Sequence, residues 1–165
     1  MIAGFRVLAQ ILVCSIIAAA FARPALAQES AAKTYACQGF AEPLQHSPMQ
    51  VAKGRVLPLR AKLATPGGGY VDDRILKTSP VVSLKFKPES GPEVDRSAGV
   101  EVRDYGKGTH FVWDDEAHWK FDLGTKSLPD DEGEYTVSVA SGDEKEYKID
   151  PTCSLVFHVR GGGGP

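Results

Sequence analysis

Apolar residues fall on every second position in segment after segment of this chain, and that spacing limits what it can fold into. Leu57, Leu59, Ala61 and Leu63 share one face while Pro58, Arg60 and Lys62 share the other. Val82, Leu84 and Phe86 repeat the pattern, as do Tyr135, Val137 and Val139, and the segment Leu155 to Val159 closes the series. A period of two is that of a strand with one buried face. Beyond residue 27 no segment carries apolar residues three and four apart over a dozen positions, so helices are scarce. The expectation is an all-β chain of about seven or eight short antiparallel strands, stacked as two sheets because each oily face needs a cover. Pro58 cannot donate to a ladder, which predicts an edge or bulge at that point.

The first 27 residues follow a different plan. One basic residue, Arg6, precedes an apolar stretch from Val7 to Phe21, and Ala25-Leu26-Ala27 ends the segment. That order predicts a secretory signal peptide cut before Gln28. An uncleaved anchor is the rival reading, but the apolar run falls short of the roughly 20 residues a bilayer needs and meets Pro24. Lipid attachment at Cys14 is opposed by Val13, where a small residue is wanted. No membrane span is expected after cleavage. Removing the 27 residues takes away Arg6 and Arg23 and no acid, so the net charge moves from −2 to −4 over the 138 residues left. A chain so mildly acidic offers no polycation to a nucleic-acid backbone.

Cleavage also removes Cys14 and leaves Cys37 and Cys153 in an oxidising compartment, where a structural disulfide between the first and last strands is expected. A redox role is disfavoured because no Cys-x-x-Cys spacing exists. The polar leader over 28–34 and the Gly-rich tail over 161–165 are expected to be flexible, with the folded domain over 35–160. Pro43 to Gln50 and Pro88 to Gly99 read as loops.

Two stretches resemble known families. Asp131-Glu132-Gly133-Glu134-Tyr135 is similar to the tyrosine corner of immunoglobulin-like domains, in which the phenol bonds back to upstream backbone; Val137 stands where an antibody domain carries its cysteine. The resemblance implies an immunoglobulin-like Greek-key β-sandwich with Tyr135 as the corner residue. Lys53-Gly54-Arg55-Val56-Leu57-Pro58-Leu59-Arg60-Ala61-Lys62-Leu63 resembles the opening of the bacterial PxKF domain. Phe111 to Lys126 followed by Gly133 to Val139 is similar to that module's second half. Arg60 and Ala61 replace the lysine and phenylalanine of the naming motif. This resemblance implies an extracytoplasmic module of exported or surface proteins with no catalytic residues.

Chemistry-bearing residues concentrate at 110–122, with two His, two Trp and several acids. If Phe111, Trp113, Trp119 and Phe121 share the core face of a hairpin, 113 pairs with 119 and 111 with 121. Asp114 then opposes His118, and His110 opposes Asp122, on the outer face. The imidazoles would lie about 13 Å apart at roughly 3.3 Å per residue, too far to share one metal ion. Surface carboxylate–imidazole pairs are therefore expected. The acids of Asp72-Asp73, Asp114 to Glu116, Asp130 to Glu132 and Asp143-Glu144 read as wet turns, since the Asp-x-Asp-x-Asp-Gly spacing of a calcium loop is absent. No nucleophile elbow, His-Glu-x-x-His or phosphate loop occurs. Ser97 has no evident base, His46 with Met49 makes a poor copper site, and His158 reads as an outward strand residue.

The expected function is a non-enzymatic binding or structural module, without catalytic, cofactor-binding or metal-ligating residues, that meets a protein or glycan partner through a sheet face, an edge or the loops at 64–74 and 88–109. Two alternatives belong to other classes. One is a small periplasmic metal-dependent protein or enzyme centred on His110, Asp114, His118 and Asp122; the other is an inhibitor presenting the 88–99 loop to a secreted hydrolase.

Overall fold

The alternation becomes strands wherever it was strongest. A computed structural model describes residues 32–42, 44, 46–114, 116–129 and 133–161; the expected signal peptide and residues 162–165 of the tail lie outside them. The strands are β1 (Lys33–Phe40), β2 (Met49–Ala52), β3 (Val56–Ala64), β4 (Val81–Pro88), β5 (Val94–Asp95), β6 (Glu101–Val102), β7 (Val112–Trp113), β8 (Trp119–Gly124), β9 (Gly133–Ala140), β10 (Tyr147–Ile149) and β11 (Ser154–Arg160). The one helical piece among the described residues is a single 3-10 turn, Ser97–Gly99. No helix there is long and apolar enough to cross a membrane.

Two sheets form. The first runs β10-β1-β3-β8-β6, with β7 also on β8, and the second runs β2-β11-β9-β4-β5. The expected strand number is exceeded, because five of the eleven strands have only two to four residues and exist as short partners of longer ones. The pairing is also not wholly antiparallel: β1 runs parallel to β10, and β2 parallel to β11. β1 starts two residues inside the expected leader, pairing Lys33 and Thr34 with Tyr147 and Lys148, and β2 starts inside the expected loop at Met49.

The inward faces are the ones the spacing assigns. Leu57, Leu59, Ala61, Leu63, Phe121 and Leu123 of the first sheet meet Val82, Leu84, Phe86, Tyr135, Val137, Leu155 and Phe157 of the second in one buried core, as in a β-sandwich. Phe86, Tyr135 and Phe157 stack across β4, β9 and β11, with centroids 4.7 and 5.3 Å apart. Truncating Phe157 to alanine would cost about 3–5 kcal/mol. Tyr135 donates its hydroxyl to the Pro129 carbonyl at 3.1 Å, so the buried phenol keeps a partner. The disulfide joins Cys37 of β1 to Cys153, just before β11, with Cα atoms 5.3 Å apart. It thus ties one sheet to the other.

Pro58 sits opposite Asp122 of β8. Both backbone groups of Asp122 bond the other way, its N–H to the Tyr105 carbonyl and its carbonyl to the Arg103 N–H. The proline nitrogen therefore faces the side on which β1 pairs only from Ala61 onward, and no ladder bond is lost.

Candidate functional site

The outward face of the first sheet gathers most of the chemistry. In β3, Arg60 and Lys62 alternate with buried Leu59, Ala61 and Leu63. The register then places Lys120 of β8 beside Arg60, and β7 and β8 pair Trp113 with Trp119 and Val112 with Lys120. This is the register expected from the four aromatics. Trp119 is 1% exposed and donates its indole N–H to the Val71 carbonyl at 2.8 Å, so its ring belongs to the core.

Asp114 organises the hairpin end. Its Oδ1 accepts the backbone N–H of Glu116 at 3.1 Å and of His118 at 2.8 Å. Its Oδ2 holds the Lys120 ammonium, which also lies 3.6 Å from Glu116. The imidazole Nδ1 of His118 stands 4.0 Å from Asp114 and has no hydrogen-bond partner among the described residues. Burial first, then the positive charge of Lys62 and Arg60, hold the His118 pKa below its ordinary value against the opposing pull of Glu116. The imidazole is neutral at pH 7.

The second expected pair, His110 with Asp122, does not form. Asp122 instead meets Arg60, with Nη1 2.8 Å from Oδ1 in a charge contact rather than an aligned hydrogen bond. His110 is exposed and bridges to Lys107 and Val81. The reason is lateral: Arg60 comes from β3, the neighbour of β8 on the other side from β7. Asp114 also departs from the wet-turn expectation, with its side chain only 12% exposed.

Asp114, Glu116 and His118 offer one metal-ligand atom each, all within 4.8 Å of one another. A zinc ion would need them within about 2.0–2.2 Å of its centre. The Lys120 ammonium already pairs with Asp114 and lies 3.6 Å from Glu116, so an ion binding Asp114 has to compete with it.

The other candidates are separate from this face. His46 is exposed. His158 lies on β11, its Nδ1 2.8 Å from the Gly133 carbonyl. Ser97 Oγ accepts the Leu84 N–H at 2.9 Å and donates to the Leu84 carbonyl at 3.4 Å, so its hydroxyl serves the strand edge.

Tyr70 and Tyr105, which no sequence motif singles out, complete the face. The Tyr105 ring lies 5.1 Å from both Arg60 Cζ and Lys120 Nζ, and the Tyr70 ring 5.7 Å from Lys62 Nζ. They remain 44% and 52% exposed. The available signal was their setting, single aromatics beside glycine outside any alternating run. A groove of about 170 Å³ lies alongside, lined by Gln38, Gly39, Lys62 and His118 among others.

The chain matches no protein-family model and no curated protein.

Proposed function

We propose that this chain is an exported, non-enzymatic, immunoglobulin-like module, of the PxKF type its sequence resembles, that binds a protein or glycan partner through its loops at 64–74 and 88–109. The observation carrying this reading is where apolar surface is left open. Of the five large apolar side chains exposed among the described residues, Tyr70 comes from the first stretch, Tyr105 and, on the short edge strand β5, Val94 from the second, and Ile75 lies one residue beyond the first. A rigid scaffold displaying aromatic residues on loops is a common binding design.

The immunoglobulin-like assignment draws support from the strand order. In that fold's usual lettering, β1-β3-β8-β6 corresponds to A-B-E-D, and β2-β11-β9-β4-β5 to A′-G-F-C-C′. The bond from Tyr135 back to Pro129 supports it further. The disulfide departs from it, since it joins the first and last long strands rather than the B and F equivalents. The export reading draws support from that same bridge.

A photo-crosslinking amino acid at Tyr70 or Tyr105, compared with one at exposed Ser154 on the second sheet, tests the binding reading in cells. Adducts from the first two sites and none from Ser154 are expected; adducts independent of position would overturn it. Mass spectrometry of the exported product should give Gln28 as the first residue. The spacing of Asp114, Glu116 and His118 favours one second reading, a metal-dependent protein, which stoichiometric zinc or copper surviving dialysis would support.

A further inference from the structure

We infer that the outward face of the first sheet, between Tyr70 and Tyr105, binds a neutral oligosaccharide; this rests on the binding-module reading and names its ligand class. Arg60 and Lys62 point outward two residues apart on β3, about 7 Å along the strand. Tyr105 lies against the first and Tyr70 against the second. Two half-exposed aromatic rings, each with a cation already over it, thus stand at neighbouring stations of one strand. The face of a phenol ring is the negative part of its quadrupole, and the axial C–H bonds of a pyranose present a weakly positive apolar surface to it.

The ground between the rings suits hydroxyl groups. It holds the cations Arg60, Lys62 and Lys120 and the carboxylates Asp114, Glu116 and Asp122, with the Arg103–Glu101 ion pair alongside. Their formal charges cancel, so the face steers neither a polyanion nor a polycation. Of these, Glu116, with its side chain 76% exposed, and half-buried Lys62 offer an acceptor and a donor to a ligand, while Asp122, Asp114 and Lys120 are largely covered and tied into ion pairs. Several are fixed before any ligand arrives: Asp122 is held by Arg60, and Asp114 by two backbone N–H groups and Lys120. That reduces the ordering cost of binding. The groove of about 170 Å³ beside Lys62 and His118 is large enough to hold water, which sugar hydroxyls can replace. A protein partner would want a contiguous apolar centre that sheds its water, and here the centre between the rings is charged.

Isothermal titration of the disulfide-bonded protein with cellohexaose, chitohexaose and maltohexaose, and with hexagalacturonate as the anionic arm, tests the inference. At least one neutral hexasaccharide should bind with Kd below about 1 mM. Tyr70→Ala and Tyr105→Ala should each weaken it about tenfold or more, while Tyr70→Phe and Tyr105→Phe stay within about threefold. Circular dichroism establishes that each variant is folded, and the phenylalanine pair keeps the test valid if an alanine variant is not. The inference is overturned if no neutral hexasaccharide binds, if only hexagalacturonate does, or if the alanine variants bind as well as the parent. Should sugars fail while crosslinking at Tyr70 or Tyr105 gives protein adducts, the glycan assignment falls and the binding-module reading stands. Should both fail, both fall.

Discussion

At the scale of single residues, the 114–118 turn is shaped by one carboxylate and one unusual backbone angle. Asp114 gathers the N–H groups of Glu116 and His118, and Ala117 closes the turn at φ 62°. That left-handed conformation costs a residue with a Cβ about 1–2 kcal/mol, which glycine avoids at the expense of a freer unfolded chain. Ala117→Gly should therefore raise stability by about 0.5–1 kcal/mol in urea denaturation; a loss would mean that the methyl group packs. His118 gives a prediction in pH. Its folded pKa lies below the ordinary 6.5, so the folded state binds this proton less readily than the unfolded chain does. Stability from this group is complete above about pH 6.5 and declines as pH falls through that value towards the lower folded pKa. Lys62 and Arg60 disfavour the charged imidazole, Glu116 favours it, and Asp114 is committed to Lys120. His118→Gln should flatten the melting temperature between pH 7 and 5, and an unchanged slope would place the dependence elsewhere. The Asp114–His118 juxtaposition was legible because hairpin register follows from four aromatics. The Arg60–Asp122 contact was not, since a hairpin's own sequence does not say which strand lies on its far side.

At the scale of elements, long strands announce themselves and short ones do not. A nine-residue run such as β3 repeats its period four times, whereas β5, β6 and β7 have two residues each and are defined by the strand they join. Where these short partners stop, serine side chains take over. Ser97 bonds both the N–H and the carbonyl of Leu84 on β4, next to the pairing of Lys85 and Phe86 with β5. Ser47 does the same for Val156 on β11, at 3.1 and 3.4 Å, next to the residue where β2 begins to pair. A hydroxyl that both accepts and donates substitutes for one residue of an edge strand. No alternation or motif signals this use of serine, because it depends on a strand more than ten residues away. Ser97→Ala and Ser47→Ala should each cost about 1 kcal/mol. The double variant, with two freed edge positions, should also associate at high concentration, as light scattering would detect. A double variant as stable and as monodisperse as the parent would show that water fills both roles.

At the scale of the whole molecule, the two sheets share one core and one covalent tie. The cysteine pair and its partners were legible before any fold was known, because cleavage of the expected leader leaves only Cys37 and Cys153. What the sequence left unsaid is that the bridge crosses between sheets, since that depends on β1 and β11 lying in different layers. The bridge closes a loop with a sequence separation of 116, for which restriction of the unfolded chain gives about 4–5 kcal/mol as an upper value. Cys153 is fully buried, so serine there would bury an unpaired hydroxyl and confuse the measurement; alanine at both positions is the cleaner change. If the bridge acts on the unfolded chain, Cys37→Ala with Cys153→Ala should lower the unfolding free energy towards that value. It should also steepen the dependence on urea, because an unbridged chain exposes more surface when it unfolds. A loss below about 1 kcal/mol with an unchanged slope would mean that the unfolded chain already keeps β1 near β11. A large loss with an unchanged slope would instead locate the bridge's effect in the packing of the folded sheets.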